Sequence, residues 1–247
     1  RKILEAQGWT LHSILNAHAN ADHNGGNALL QQRLHAPAYA PGIDAAVTTY
    51  PILEPAFLYG GYPPKPLRNK FLLSQPSRCE PLTAENLPQG LTQLALPGHF
   101  FDMCGFGTAD GVWFLADCLS GANIVEKYHV NFIYDVAAYL ETLDRVCQLE
   151  GRLFVPAHAE AAEDIRPLAE LNRAKVLEIA GVILELCREP KMFEEILQGV
   201  FARYQLTMDF NQYVLVGSTV RSYLAYLLDR GAAAAEFDDN RLLWRAV

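Results

Sequence analysis

The feature that most constrains the fold of this sequence is a set of short apolar segments that each lead into a histidine or an aspartate. Short apolar runs bounded by turn residues predict β-strands, and side chains at strand ends are held rigidly. Neutral imidazole and carboxylate groups are ligands that Zn²⁺ and Fe²⁺ prefer. Any one such histidine alone indicates a surface residue, but four such clusters together favour a metal site. The segments are residues 12–17, 91–97, 111–117 and 152–157, and the groups that follow or end them are His18/Asp22/His23, His99, Asp117 and His158.

The composition places the chain among ordinary globular proteins. Its 247 residues, 51% hydrophobic and 19% charged, can bury a sizeable core without disulfides. The five cysteines are scattered and form no C-x-x-C pair, which indicates reduced thiols and a cytoplasmic location. No apolar run reaches ~18 residues and no signal-peptide pattern is visible, so no membrane partner is expected. A net charge of −8 disfavours a nucleic-acid partner.

The order of predicted elements indicates an α/β fold with a helical end. Strands alternate with helices up to about residue 160, including a helix over residues 131–149 with Asn131 as its cap. Three helices and a hairpin then follow, which predicts a winged-helix-like domain. Because the sequence has no basic recognition stripe, packing or dimerisation is the favoured role of this domain. The predicted domains are residues 1–162, the catalytic domain, and residues 163–247.

A long segment, residues 41–89, is rich in proline, glycine and aromatic residues. It is interpreted as a packed insertion with short helical pieces, and the alternative is a lid or dimer-forming element over a site. Lys65, Arg68 and Lys70 cluster in it. They would either hold an anionic substrate group or form a solvated loop face.

The order of the histidines and aspartates resembles the metallo-β-lactamase fold superfamily. The matching elements are the H-A-N-A-D-H motif at 18–23, His99, Asp117 and His158. The resemblance covers roughly residues 1–160 and implies a four-layer αββα sandwich with its site at one edge between the two sheets. This fold usually begins with N-terminal strands that the sequence lacks, so we expect an N-terminally truncated chain.

The resemblance also implies a role for each residue of the site. His18, position 20 and His99 would bind a first metal ion, and Asp22, His23 and His158 a second. Asp117 would bridge both, and Asp22 would also orient the nucleophile as the catalytic residue. The expected cofactor is one or two divalent ions, with zinc favoured and iron or manganese as alternatives.

Asn20 departs from the superfamily pattern, which places a histidine there. An amide oxygen is a weaker zinc ligand than an imidazole, so the two sites are expected to differ. Two metals with a weak first site, one metal at the second site, and a metal-free protein remain the alternatives. Asp102 is a candidate acceptor that would orient His99 from behind.

The expected function is a metal-dependent hydrolase that uses a metal-bound hydroxide on a small ester, thioester or lactone-like substrate. One alternative is a phosphodiesterase or nuclease of the same fold. Another is a non-catalytic metal-binding or assembly protein, because Asn20 replaces a ligand histidine. The expected partner is a small molecule, and a homodimer is an open alternative.

Overall fold

A computed structural model describes residues 2–247, so Arg1 of the predicted first domain lies outside the described residues. No helix within these residues meets both the length and the hydropathy that a bilayer span requires. The strands are β1 (Ile14–Leu15), β2 (Ala38–Ala40), β3 (Cys79–Pro81), β4 (Leu91–Ala95), β5 (Cys104–Thr108), β6 (Val112–Ser120), β7 (Leu153–His158), β8 (Ala233–Asp238) and β9 (Arg241–Ala246). The helices are α1 (Lys2–Gln7), α2 (Ala21–Asn24), α3 (Asn27–Leu34), α4 (Gly42–Thr49), α5 (Leu53–Tyr59), α6 (Ala122–Tyr128), α7 (Val136–Cys147), α8 (Arg166–Leu186), α9 (Phe193–Arg203) and α10 (Phe210–Asp229).

Two sheets form the centre of the fold. The first has the order β1-β2-β3 with all strands parallel, and the second has the order β4-β5-β6-β7 with only β6 and β7 parallel. Leu15 and Tyr39 of the first sheet share an apolar cluster with Cys104 and Phe106 of the second. The sheets therefore pack face to face, and the amide of Cys104 donates to the carbonyl of Ala17 at 2.9 Å.

Helices cover the outer faces of both sheets. Side chains alternate across a strand, so Ala38 and Ala40 point away from the second sheet and pack with Ala45 of α4. Helices α7 and α8 pack on β6 from the opposite side. The four layers confirm the predicted αββα sandwich.

The segment 41–89 is built into the sandwich. It contains α4, α5, a 3₁₀ turn at Lys65–Leu67, and β3, which completes the first sheet. The sequence analysis predicted the short helical pieces but not this strand, because three residues among prolines carry no recognisable strand pattern.

The C-terminal part consists of α8, α9, α10 and the β8–β9 hairpin, in the predicted order. Asp239 and Asn240 at the hairpin turn have φ of 45° and 60°, the left-handed values that a tight hairpin requires. The largest apolar cluster runs without interruption from Leu115 of β6 to Val220 of α10. The division at residue 162 and the winged-helix interpretation stay predictions.

Helix α7 begins at Val136, five residues after the predicted cap Asn131. The actual cap is Asp135, whose backbone is extended and whose carboxylate accepts the amide hydrogen of Ala138 at 3.0 Å. The predicted cap was wrong because a better capping residue stands closer to the amphipathic run. Asn131 instead lines the cleft described below.

Candidate metal centre

Four histidines surround one carboxylate oxygen at the edge between the two sheets. His18 follows β1, His23 lies in α2, His99 lies between β4 and β5, and His158 ends β7. Asp117 is in β6. The distances from its Oδ2 to the Nε2 atoms are 2.9 Å for His158, 3.2 Å for His23, 3.7 Å for His99 and 3.9 Å for His18.

An irregularity in β6 positions Asp117. The pairing register with β7 shifts on both sides of Ala116, whose φ of 50° lies in the left-handed region. Such a bulge changes the direction of the next side chain and breaks the simple alternation of a strand. The carboxylate of Asp117 is thereby only 7% exposed, while Cys118 is buried in the core.

Buried groups without partners test whether a cation fits this site. His18 is 1% exposed, and within residues 2–247 neither of its ring nitrogens has a hydrogen-bond partner; the same is true of Asp117 Oδ1. A buried polar atom left unpaired is destabilising by about 1–3 kcal/mol. A metal ion held by His18 and Asp117 would give a partner to one ring nitrogen of His18 and to the carboxylate, so the residues present fit a divalent metal.

The protonation states of His18, His99 and Asp117 also fit a metal. Burial holds the pKa of His18 well below its ordinary value and lowers the pKa of His99, so both rings are neutral. Burial alone would raise the pKa of Asp117, but hydrogen bonds from His158 and His23 outweigh it and carry that pKa well below its ordinary value. Neutral imidazole and ionised carboxylate are the forms that bind metals. The hydrogen bond to Asp117 raises the pKa of His158 and, against the effect of burial, that of His23, so these two rings lose a proton when they bind a metal.

The residues predicted for the second metal lie together on the exposed side. Asp22, His23 and His158 place one ligand atom each within 4.8 Å of one another, and so do His18, His23 and Asp117. Asp22 Oδ2 is 3.6 Å from His23 Nε2. The structure thus brings together the histidines and aspartates of the motif, while the assignment of each to one of two ions stays a prediction.

The ring of His99 is fixed by the backbone of the loop between α6 and α7. Its Nδ1 lies 3.0 Å from the carbonyl oxygen of Phe132. Since a carbonyl only accepts, Nδ1 carries the proton and Nε2 presents its lone pair to the centre. The predicted role of Asp102 was wrong, because its carboxylate turns away and accepts the amide hydrogen of Ile43 at 2.8 Å.

Asn20 reaches the centre with its amide oxygen. Its Oδ1 is 3.2 Å from His99 Nε2, and its Nδ2 donates to Glu54 Oε1 at 2.7 Å. Glu54 is 2% exposed, and its Oε2 accepts the amide hydrogen of Ala21 at 3.0 Å. Burial raises the pKa of Glu54 to about 8. The sequence analysis missed Glu54, whose signal is a carboxylate within the apolar run LEPAFLY.

A second buried carboxylate connects two of the loops that carry these residues. Asp44 accepts the amide hydrogen of Ala19 at 2.8 Å and that of Asp102 at 2.9 Å. Ala19 lies beside His18, and Asp102 lies three residues after His99. Asp44 therefore holds the motif loop and the His99 loop together.

A cleft of about 460 Å³ opens above the cluster. The chain segments that line it are widely separated in sequence and contribute apolar groups and neutral amides. Arg68 and Lys70 lie instead against the rings of Tyr62 and Phe71, at 5.3 and 5.1 Å. The lining residues outside the cluster include Phe71, Leu72, Ile124, Tyr128, Asn131, Phe132, Asn211 and Leu215.

Comparisons with known proteins agree with this geometry. A family model described as the metallo-beta-lactamase superfamily matches residues 1–158. A search of curated proteins gives no match. A metallo-beta-lactamase family protein of Thermus thermophilus is similar in structure, with a TM-score of 0.71 and 20% identity over 99% of this chain and 84% of its own. A beta-lactamase domain protein of Burkholderia ambifaria has a TM-score of 0.69 and 19% identity, over 98% and 75%. The chain belongs to the metallo-beta-lactamase superfamily.

Proposed function

We propose that this protein is a hydrolase that uses one or two divalent metal ions to cleave a small, uncharged acyl compound such as an ester, thioester or lactone. Membership of the superfamily supports a metal-dependent hydrolase in general. The observation that carries the proposal is the convergence of four imidazole nitrogens on Asp117 Oδ2 at the floor of a cleft.

The residues of the cluster are proposed to have different roles. His18, Asn20 and His99 would hold a first metal, Asp22, His23 and His158 a second, and Asp117 both. Divalent ions in such a site lower the pKa of a water molecule and polarise the carbonyl under attack. The carboxylate of Asp22, half exposed in the cleft, would accept a hydrogen bond from the attacking water and orient it.

The walls of the cleft support an uncharged acyl compound as the substrate. Phe71, Leu72 and Leu215 offer apolar surface, and Asn131 and Asn211 offer neutral hydrogen-bonding groups. Among residues 2–247, those that line the cleft include no lysine or arginine that would pair with the charge of a phosphodiester. These walls favour an apolar acyl group next to a polar, uncharged scissile bond over a phosphodiester.

Hydrolysis of a matched substrate panel tests the proposal. Zinc-loaded protein should hydrolyse neutral p-nitrophenyl acyl esters or acyl thioesters. It should lose at least about 100-fold in rate on dipicolinate treatment or in the Asp22→Ala variant, whereas His12→Ala, at an exposed histidine outside the cluster, should keep the rate. Activity confined to bis-p-nitrophenyl phosphate would favour the phosphodiesterase alternative. Fully loaded protein that is inactive on every member would favour a binding protein.

We further infer that the resident metal is zinc and that the protein works in the cytoplasm. Imidazole and carboxylate ligands support zinc, although they also accept iron and manganese. All five cysteines are free, which supports a reducing compartment. Elemental analysis of protein purified without chelator distinguishes the three metals.

A further inference from the structure

We propose that Glu54 is a positioning residue that turns the amide oxygen of Asn20 toward the metal centre, so that Asn20 acts as a ligand where an imidazole is missing. The inference rests on the proposed metal site. It concerns a residue outside the H-A-N-A-D-H motif, 34 positions further along the chain in helix α5.

An asparagine amide presents an oxygen on one side and a nitrogen of nearly the same size on the other. Its orientation is decided by hydrogen-bond partners rather than by shape. Only the oxygen has a lone pair that can bind a cation. Whether Asn20 is a ligand therefore depends on which group faces the centre.

In its ionised form, in which both oxygens accept, Glu54 leaves Asn20 one orientation. Its Oε2 receives the backbone N–H of Ala21 at 3.0 Å, and its Oε1 receives the Nδ2 of Asn20 at 2.7 Å. The carboxylate is buried at 2% exposure, so water does not replace these donors readily. With its nitrogen committed to Glu54, Asn20 must point Oδ1 the other way.

On that other side the oxygen meets groups that also carry lone pairs. His99 Nε2 lies 3.2 Å from Asn20 Oδ1 and 3.7 Å from Asp117 Oδ2. Because the proton of His99 is held at Nδ1 by the carbonyl of Phe132, Nε2 does not donate to either oxygen. Asn20 Oδ1, His99 Nε2 and Asp117 Oδ2 are therefore three acceptors that face one another. Such acceptors repel unless they share a cation, and this is the environment of a metal ion.

An isosteric substitution reverses the orientation. In Glu54→Gln the fixed N–H of Ala21 requires the carbonyl oxygen of the new side-chain amide, so the NH₂ group of that amide faces Asn20. Asn20 must then rotate its own amide to offer Oδ1 to this NH₂ group, which turns Nδ2 toward the centre. A nitrogen that carries two hydrogens does not bind a cation, so the first metal site is weakened.

A paired exchange of residues 20 and 54 restores the first metal site. In the double variant Asn20→Asp/Glu54→Gln, the amide NH₂ group introduced in helix α5 donates to one oxygen of the carboxylate introduced in the motif. The other oxygen of that carboxylate is left facing the centre. The exchange keeps the summed charge of the pair and nearly all of its atoms. Recovery in the double variant is therefore a signature that general destabilisation does not produce.

Metal stoichiometry and affinity provide the test. Each protein is dialysed against graded free Zn²⁺ and analysed for zinc per chain, and Co²⁺ absorption spectra report the ligand environment. We expect two zinc ions for the wild type, one for E54Q over the range that saturates the wild type, and two for the double variant. The first-site affinity of E54Q should fall about 10–100-fold, the usual effect of removing a group that orients a ligand.

A matched control is Glu178→Gln, which makes the same substitution at a carboxylate of α8 that accepts from Lys175 and from the hydroxyl of Tyr204. It should keep both zinc ions at wild-type affinity. E54Q with two zinc ions at wild-type affinity, or a wild type that binds only one, would overturn the inference. If E54Q does not fold, Asn20→Ala decides: loss of one zinc ion over the range that saturates the wild type supports the inference, and two zinc ions at wild-type affinity overturn it. A wild type that binds two ions and hydrolyses nothing contradicts the proposed function alone.

Discussion

At the scale of single residues, buried carboxylates shape the metal centre from outside the motif. Asp44 joins the backbone of Ala19 to that of Asp102, and Glu54 joins the side chain of Asn20 to the backbone of Ala21. Both carboxylates come from the segment 41–89. The ligand-bearing loops are thus held by a part of the chain that carries no predicted ligand.

Replacing Asp44 by asparagine should destabilise the fold. One of the two backbone N–H donors would face an amide NH₂ group and lose its acceptor, which is unfavourable by about 1–3 kcal/mol. Urea unfolding followed by circular dichroism measures the change. Asp229→Asn at the exposed end of α10 should shift the free energy of unfolding by no more than about 0.5 kcal/mol. Equal stability of Asp44→Asn and the wild type would contradict the role of Asp44.

The sequence was sufficient to predict the residues of the cluster but not the groups that hydrogen-bond to them and hold them in place. His18, His23, His99, Asp117 and His158 were selected because each follows or ends an apolar segment, and the fold brings those ends together. Glu54 was not predicted, because its partner lies 34 residues away and the contact depends on how α5 packs. Asp102 was predicted wrongly for the same reason, since the carbonyl of Phe132 reaches His99 first.

At the scale of elements, strand β6 combines regular pairing with one local break. Its pairs with β7 are regular up to Phe114 and shift at Ala116, where φ is 50°. A residue without branching at Cβ tolerates that value at a small cost, and a β-branched one does not. The break is what brings Asp117 under the four histidines.

Ala116→Val should lower the free energy of unfolding by about 1–3 kcal/mol, because its branched Cβ opposes the left-handed backbone. If the strand straightens to relieve the strain, Asp117 leaves the histidines and zinc content falls as well. Ala116→Gly accepts the same φ and should keep the metal content of the wild type. Thermal unfolding and zinc analysis of the two variants measure both effects; equal behaviour of the two would contradict the argument.

Elements differed in how well the sequence predicted them. Strands β5 and β6 were predicted because Ala109-Asp110-Gly111 marks the turn between them, and Gly111 does adopt a positive φ of 81°. Strands β2 and β3 have three residues each and lie among proline-rich stretches, so no alternating pattern indicates them.

At the scale of the whole molecule, the C-terminal helices and the sandwich share one core. Leu115 and Leu143 belong to the same buried cluster as Ile183 and Tyr223. Buried hydrogen bonds cross the same boundary: the amide of Ile133 donates to Thr219 Oγ1 at 3.1 Å. Apolar burial of this kind couples the two parts energetically.

The full chain should therefore unfold in one transition, with equal calorimetric and van't Hoff enthalpies. A fragment of residues 1–162 should fail to give a cooperative transition, because it exposes the apolar face that α8 and α10 cover. Differential scanning calorimetry of both proteins is the measurement. Two resolved transitions in the full chain would show that the parts are independent domains.

The cleft above the metal centre has walls that come from elsewhere in the chain than its floor. Its floor consists of motif residues, whereas Phe71 and Leu72 precede β3 and Asn211 and Leu215 belong to α10. Asn69 and Asn211 tie these two walls together through a hydrogen bond of 3.1 Å. Substitutions in two short stretches can therefore change which molecule is admitted without changing the residues of the candidate metal centre. Descendants of such a chain are free to acquire new substrates while inheriting the same chemistry.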